Sequence, residues 1–274
     1  MGELVQIRDY LKSIDEKTSK PTDCKSLLFF ISWPSIYEPP NDTSKYSLTF
    51  SPPIVLDSLD YEMAFMDIET YYSFPNITKG INYNFRYYSG KLSQWVTVEF
   101  DTGAYEISQI MKKLNLIFSK NGEIVANKSP IKLEGNGATL KCEMSIIAGY
   151  KVDFSFPKSF NKLLGFNNKE YSEGYYESEL FVDIMEIDSL YVNCDLINGS
   201  YSNGNNSTST YSFFPGVRPG AKIIEKATHL VFLPINRRIL SNITFWISDQ
   251  SGKIVNFRNL NISIRFYLRK SPLL

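Results

Sequence analysis

Residues 242–269 read Asn242-Ile243-Thr244-Phe245-Trp246-Ile247-Ser248, then Asp249-Gln250-Ser251-Gly252, then Lys253-Ile254-Val255-Asn256-Phe257-Arg258-Asn259-Leu260, then Asn261-Ile262-Ser263-Ile264-Arg265-Phe266-Tyr267-Leu268-Arg269. Ile243, Phe245 and Ile247 alternate with Thr244, Trp246 and Ser248, and Ile262, Ile264, Phe266 and Leu268 alternate with Ser263, Arg265, Tyr267 and Arg269. A period of two puts each apolar set on one face of a strand and each polar set on the other. Asp at the first and Gly at the fourth position of Asp249-Gln250-Ser251-Gly252 suit a type I turn, which predicts a reversal into an antiparallel neighbour. The stretch is a half-buried antiparallel sheet with no residue in it of catalytic character.

The same signal extends back through the chain. Tyr46, Leu48 and Phe50 alternate, Tyr61 to Tyr72 is a long apolar segment, and Val96, Val98 and Phe100 alternate before Asp101-Thr102-Gly103. Strands are also predicted over Leu140 to Ile146, Val152 to Phe156, Leu190 to Leu196 and His229 to Leu233, separated by Gly, Pro and Asn turns. Many short strands without alternating helices imply an all-β antiparallel sandwich or barrel. Two short helical insertions interrupt it: Ala104 to Leu116, with Ile107, Ile110, Met111 and Leu114 on one face, and a turn of helix over Phe160 to Phe166. Before Pro21, Leu4, Ile7, Leu11 and Ile14 stand at helical spacing, which predicts an N-terminal helical arm. The stretch from Trp33 to Ser44, rich in Pro, Asn and Ser, reads as a linker, so residues 1–45 are arm and linker and residues 46–270 one main domain. Asn198 to Thr210 consists almost wholly of Asn, Gly, Ser, Thr and Tyr and reads as a mobile surface loop.

Composition excludes several function classes. The 274 residues carry 29 basic and 29 acidic side chains, a formal net charge of zero, and so lack the electrostatic footprint of direct nucleic-acid binding. No run is long and apolar enough for a membrane span. Cys24, Cys142 and Cys194 are odd in number and widely spaced, which fits neither a disulfide framework nor a zinc site; they read as buried free thiols. The single histidine, His229, has no flanking nucleophile motif and reads as structural. Acids cluster at Asp57, Asp60 and Glu62 and at Asp183, Glu186 and Asp188, where paired carboxylates could serve a glycosidase, but acid clusters in loops are ordinarily solvated. Trp95, Trp246 and Tyr267 on strand faces could stack on sugars, which leaves a carbohydrate-binding sandwich as an alternative. No phosphate-binding or dinucleotide motif is present, so neither cofactor nor metal is expected, and the chain reads as a non-enzyme that binds or builds.

The order of short motifs resembles one family. Tyr61-Glu62, Asp67-Ile68-Glu69-Thr70-Tyr71, Ser73 and Pro75-Asn76-Ile77 are similar to the opening block of the minor capsid, or penton, proteins of Polinton (Maverick) elements and adintoviruses. Gly103, Tyr105-Glu106-Ile107 and Ile110 follow, then Thr139-Leu140-Lys141 and Leu164-Gly165-Phe166. The second half adds Gly199-Ser200-Tyr201 with Asn203-Gly204, Phe214-Pro215 with Pro219-Gly220, Leu233-Pro234, and Asp249-Gln250-Ser251-Gly252 with Phe257-Arg258. The chain departs at Asn259-Leu260, where the family has a Gly-Glu pair, and at Tyr267, where it usually has His. The resemblance implies a single jelly roll, in which Leu164, Gly165, Phe166, Pro215, Gly220, Asp249, Gln250 and Gly252 determine the fold. It further implies a homopentamer at the five-fold vertices of an icosahedral virion, partnered by a larger double jelly roll major capsid protein and assembled inside the host cell.

Overall fold

The computed structural model describes residues 26–34, 36–38, 41–43, 45–184, 187–202 and 204–272. The expected arm helix and Cys24 lie outside them. Among the described residues there are twenty strands and one helix, and every strand pairing is antiparallel. In chain order the strands before the helix are β1 (Ser26–Pro34), β2 (Ile36–Glu38), β3 (Asn41–Thr43), β4 (Lys45–Val55), β5 (Tyr61–Tyr71), β6 (Asn84–Ser89) and β7 (Gln94–Glu99). Helix α1 (Ile107–Lys120) is followed by β8 (Ile131–Asn136), β9 (Lys141–Ile146), β10 (Lys151–Asp153), β11 (Glu170–Tyr171) and β12 (Gly174–Glu177). Then come β13 (Leu190–Cys194), β14 (Ser200–Ser202), β15 (Asn205–Ser207), β16 (Ser209–Phe213), β17 (Lys222–Lys226), β18 (Leu233–Pro234), β19 (Ile239–Ser248) and β20 (Asn261–Lys270).

The chain divides into two compact units, Met1–Tyr72 with Ile187–Leu274, and Ser73–Glu186. In the first, one sheet has the order β1-β20-β5-β17, with β18 also on β5, and the other β16-β13-β19-β4. Count the eight principal strands along the chain: β1, β4, β5, β13, β16, β17, β19, β20. The first pairs with the eighth, the second with the seventh, the third with the sixth and the fourth with the fifth. This is one long hairpin folded in half repeatedly and rolled into two four-stranded sheets, which is a jelly roll. The two sheets face each other through rings: Phe245 stacks on Phe266 at 4.9 Å, Phe65 on Tyr211 at 4.5 Å and Trp33 on Tyr46 at 5.3 Å. Those contacts are where the alternation pays out, because Ile243, Phe245, Ile247, Ile262, Ile264, Phe266 and Leu268 are all buried.

The alternating stretch therefore folds as expected, with one difference of placement. The chain does reverse after Asp249, since Ser248 bridges Ile254 and the Val255 N–H donates to Ile247 O at 3.0 Å. The reversal is brief, however, and β20 crosses to the opposite sheet, where it pairs with β1 and β5. Strand β5 is buried along nearly its whole length because β20 and β17 flank it. Strand pairing also starts earlier than the alternation at Tyr46 indicated: Ser26–Pro34, read as arm and linker, is an edge strand with Phe29, Ile31 and Trp33 turned inward. The Asn198–Thr210 stretch, read as a mobile loop, holds the β14–β15 hairpin and the start of β16. Of the strand expected over His229 to Leu233 only Leu233 is in one, the two-residue β18, and His229 is exposed.

The second unit has its own two sheets, β11-β10-β6-β7 and β12-β9-β8, and its own core. Phe160 meets Phe85 and Phe100 edge-on at 5.4 Å and 5.1 Å, and Phe154 stacks on Phe166 at 5.5 Å. Helix α1 begins where the Glu106 N–H donates to Gln109 Oε1 at 3.0 Å and buries Ile110, Leu114 and Phe118, one helical face. It runs past the expected end at Leu116. Phe160 to Gly165 is a chain of tight turns rather than helix, closed by N–H bonds from Leu163, Leu164 and Gly165 to the carbonyls three residues earlier.

Candidate functional site

The residues expected to determine the fold fall into three places. Gly165 has φ +77°, and a Cβ there would lie 2.3 Å from the Leu180 carbonyl oxygen, so both backbone and space require glycine. Leu164 and Phe166 are buried on either side of it, and the Asn161 side chain donates to Phe166 O at 2.7 Å. Pro215 is buried after β16, and Gly220, at φ +85°, donates its N–H to Tyr72 O at 2.8 Å just before β17. The third place is the β19 turn. Asp249 Oδ1 accepts from the N–H of Ser251 at 2.8 Å, the N–H of Lys253 at 2.9 Å and the Ser251 hydroxyl at 2.7 Å, while Gly252 takes φ +82°. Gln250 reaches further: its Oε1 accepts from the Asp188 N–H at 3.2 Å, tethering the chain just ahead of β13. Asn259 stands at φ +63° where the resembled family has glycine, and Asn is among the non-glycine residues that take this conformation most readily.

Two of the acids that were candidates for chemistry are held in ion pairs. Asp57 binds Lys270 at 2.6 Å and Glu62 binds Arg269 Nε at 2.7 Å, so two acids of the first cluster are held in ion pairs with β20. The hydrogen bond from Lys270 keeps the Asp57 carboxyl below its ordinary range, which is the wrong direction for a general acid. Glu186 of the second cluster lies outside the described residues. Cys142 and Cys194 are buried, and burial pushes each thiol up to about 12. Among the described residues no group of three His, Cys, Asp or Glu side chains is placed to hold a metal. The aromatic candidates do not share a platform: Trp246 lies on β19 and Tyr267 on β20, in different sheets, with Lys45 over the Trp246 ring at 5.0 Å and Phe232 against Tyr267 at 6.0 Å. Trp95 has the Arg86 guanidinium on its ring at 4.6 Å.

Glu123 is a buried carboxylate. Glu123 is 1% exposed and accepts from Tyr87 Oη at 2.6 Å, from Asn121 Nδ2 at 3.2 Å and from the Ser89 hydroxyl. These donors satisfy it without a cation, and they bind the end of α1 to β6. Its partners Tyr87 and Ser89 stand more than thirty residues away in the chain, so no local pattern announces it.

The first unit presents an uncharged, apolar strip at one sheet edge. Strand β1 is an edge strand that ends in Pro34, and from Ser26 to Trp33 it contains neither a charge nor a proline. Its outward-facing Phe30 is 67% exposed and Leu28 45% exposed. Proteins ordinarily blunt such edges with charge or proline, as the other sheet does at its edge strand β4 with Pro52 and Pro53. Next to Phe30 on the same face, Arg265 is paired with Asp67 through its Nε at 2.7 Å, and Lys222 with Glu69 at 2.5 Å. On the outward face of the second sheet lie Ser47, Thr49, Thr244 and Trp246, with Ser47 and Thr244 hydroxyls 3.0 Å apart. The first outward face thus offers aromatic and charge-neutralised surface, and the second hydroxyl and aromatic surface.

No family model matches the chain, and no curated protein matches it. Among solved structures it is similar to the selenomethionine-labelled penton protein of mavirus, with 10% identity, 90% of this chain and 99% of that chain covered, and a TM-score of 0.44. No helix among the described residues is long and apolar enough to cross a membrane.

Proposed function

We propose that the chain is a structural capsid protein that forms the vertices of an icosahedral virion, a penton of the kind carried by Polinton elements and adintoviruses. The observation that carries this reading is the strand order of the first unit: first with eighth, second with seventh, third with sixth, fourth with fifth, in two facing sheets. The ordered sequence motifs from Tyr61 to Arg258 support it; among their residues Gly220 and Gly252 take positive φ, Asp249 accepts the Lys253 N–H and Pro215 is buried. The role is assembly, with no bond made or broken. Five copies close a ring through a heterologous contact, one face of each subunit against a different face of the next, and the ring seats among trimers of a larger double jelly roll protein. The uncharged β1 edge with Leu28 and Phe30 supports such a contact, because interface cores are depleted in charge and rich in aromatic surface. Mass measurement of the purified chain and negative-stain electron microscopy test the reading. A pentamer mass with five-fold rings, or incorporation into shells when the larger capsid protein is co-expressed, is expected. A strictly monomeric chain that joins no shell sinks it.

A further inference from the structure

The sheet β1-β20-β5-β17 has two edges, and among the described residues β1 pairs with β20 alone and β17 with β5 alone. Which backbone groups each edge turns outward follows from three bonds. The Tyr72 N–H donates to Ala221 O at 2.9 Å and the Ala227 N–H to Met66 O at 2.8 Å, and both pairs continue the β5–β17 register. Bonded pairs alternate in an antiparallel ladder, so Ile223 and Glu225 bond β5, while Lys222, Ile224 and Lys226 turn their N–H and C=O groups out of the sheet. Toward the other edge, the Ser271 N–H donates to Asp60 O at 2.7 Å, which continues the β5–β20 register and makes Arg269 and Tyr267 residues of β20 that bond β5. Phe266 and Leu268 therefore bond Phe29 and Leu27 of β1, and Leu28, Phe30 and Ser32 turn outward.

The two open edges match in direction, face and charge. Successive antiparallel pairings from β1 through β20 and β5 to β17 make the two edge strands run opposite ways. A second copy displaced sideways in the plane of the sheet thus brings its β1 antiparallel to β17. Ser32, Ser263, Glu69 and Ile224 form one row across the sheet, so the outward-bonding residues of both edges carry their side chains on the same face. On that face Phe30 and Ile224 are exposed. Two β17 strands paired about a two-fold axis at Ile224 would set Lys222 opposite Lys226 twice, and like charges directly opposite each other destabilise a pair. Strand β1, uncharged from Ser26 to Trp33, lies beside those lysines without repulsion and offers apolar surface to their alkyl stems.

We propose that β1 of one copy adds to β17 of the next, with Phe30 opposite Ile224, so that the sheet continues from subunit to subunit. The inference rests on the vertex reading and names the second surface of its heterologous contact. Each copy uses β1 on one side and β17 on the other, which is the arrangement a ring requires. Main-chain bonds supply affinity, and the aromatic and β-branched pair sets the register.

The test is the double variant Phe30→Cys with Ile224→Cys, made in a full-length chain that also carries Cys24→Ser; Cys142 and Cys194 are buried. Cα atoms of a bonded antiparallel pair stand about 5.5 Å apart, within reach of a disulfide. Oxidation of the assembled protein is expected to give a ladder of linked copies on a non-reducing gel, and neither single variant should give one. Hydrogen exchange on the unsubstituted chain, assembled against diluted, should slow by at least about tenfold at the Phe30, Ile224 and Lys226 amides. Rings in which those amides stay unprotected overturn the pairing and leave the vertex reading standing. A disulfide dimer of the Phe30→Cys variant alone also overturns it, since it sets β1 against β1. Open filaments linked through Phe30→Cys and Ile224→Cys support the pairing and count against the vertex, whereas a chain that stays monomeric overturns both. The exchange measurement needs no variant, so a misfolded substitution does not blunt the test.

Discussion

Gly165 and Gly220 both hold positive φ, but they differ in what surrounds them, and the difference is measurable. A Cβ at Gly165 would overlap the Leu180 carbonyl, whereas one at Gly220 meets nothing within 4 Å. Gly165→Ala is therefore predicted to destabilise the chain by about 3 kcal/mol or more, the clash adding to backbone strain, and Gly220→Ala by about 1 kcal/mol from strain alone. Urea unfolding of the two variants compares them directly, and equal losses would contradict the steric account. Glu179 makes a second prediction at this scale. Burial opposes its charge, but Lys169, the Asn167 N–H and the Tyr171 hydroxyl outweigh burial and hold its carboxyl down to about 2, from an ordinary 4.5. A carboxyl depressed in the folded state contributes stability that is present in full above pH 4.5 and lost as the pH falls through about 2. Glu179→Gln should cost about 1–2 kcal/mol at neutral pH after allowance for solvent screening, and the gap should close by pH 2, as followed by urea unfolding across that range.

Elements show where sequence pattern ends and three-dimensional context begins. The Asp249 turn was legible because its chemistry is local: Asp249→Ala removes three hydrogen bonds within four residues and is predicted to cost about 1–2 kcal/mol, with faster hydrogen exchange at Lys253 as the local readout. The alternation of β19 and β20 was equally plain, and so were their buried faces. Which sheet each strand joins was not, because a period of two states which face is buried and leaves open which neighbour supplies the ladder. Strand β1 escaped notice since Leu27 to Ile31 is an unbroken apolar run, without alternation to mark it, set between a charged segment and a proline-rich one. The composition of the Asn198–Thr210 stretch suits a loop, yet Ser200–Ser202 pairs with Asn205–Ser207 as β14 and β15. His229 to Leu233 is apolar enough for a strand but stays largely outside the sheet, with Leu230 and Val231 exposed.

At the scale of the molecule, the eight-strand pairing explains why one exposed strip is worth testing before any other. The rolled hairpin leaves β1 at the sheet edge, uncharged from Ser26 to Trp33, with Phe30 on its outward face. Two copies pairing edge to edge through β1 would be related by a two-fold axis, which closes at a dimer and gives no ring. A five-fold ring built through this strip instead brings Phe30 and Leu28 against a different surface of the next subunit, one that also lacks unpaired charge. Phe30→Glu separates the possibilities. Because Phe30 is 67% exposed, losing it removes little buried area within the subunit, so the thermal midpoint should move by no more than about 2 °C. A carboxylate forced into an apolar contact is costly to desolvate, so rings should dissociate to monomers at concentrations where the unsubstituted chain assembles. Rings that persist with Glu at this position place the contact elsewhere while leaving the vertex role standing. Dimers that disappear on the same substitution would instead establish β1 edge pairing and rule out the heterologous contact proposed for the ring.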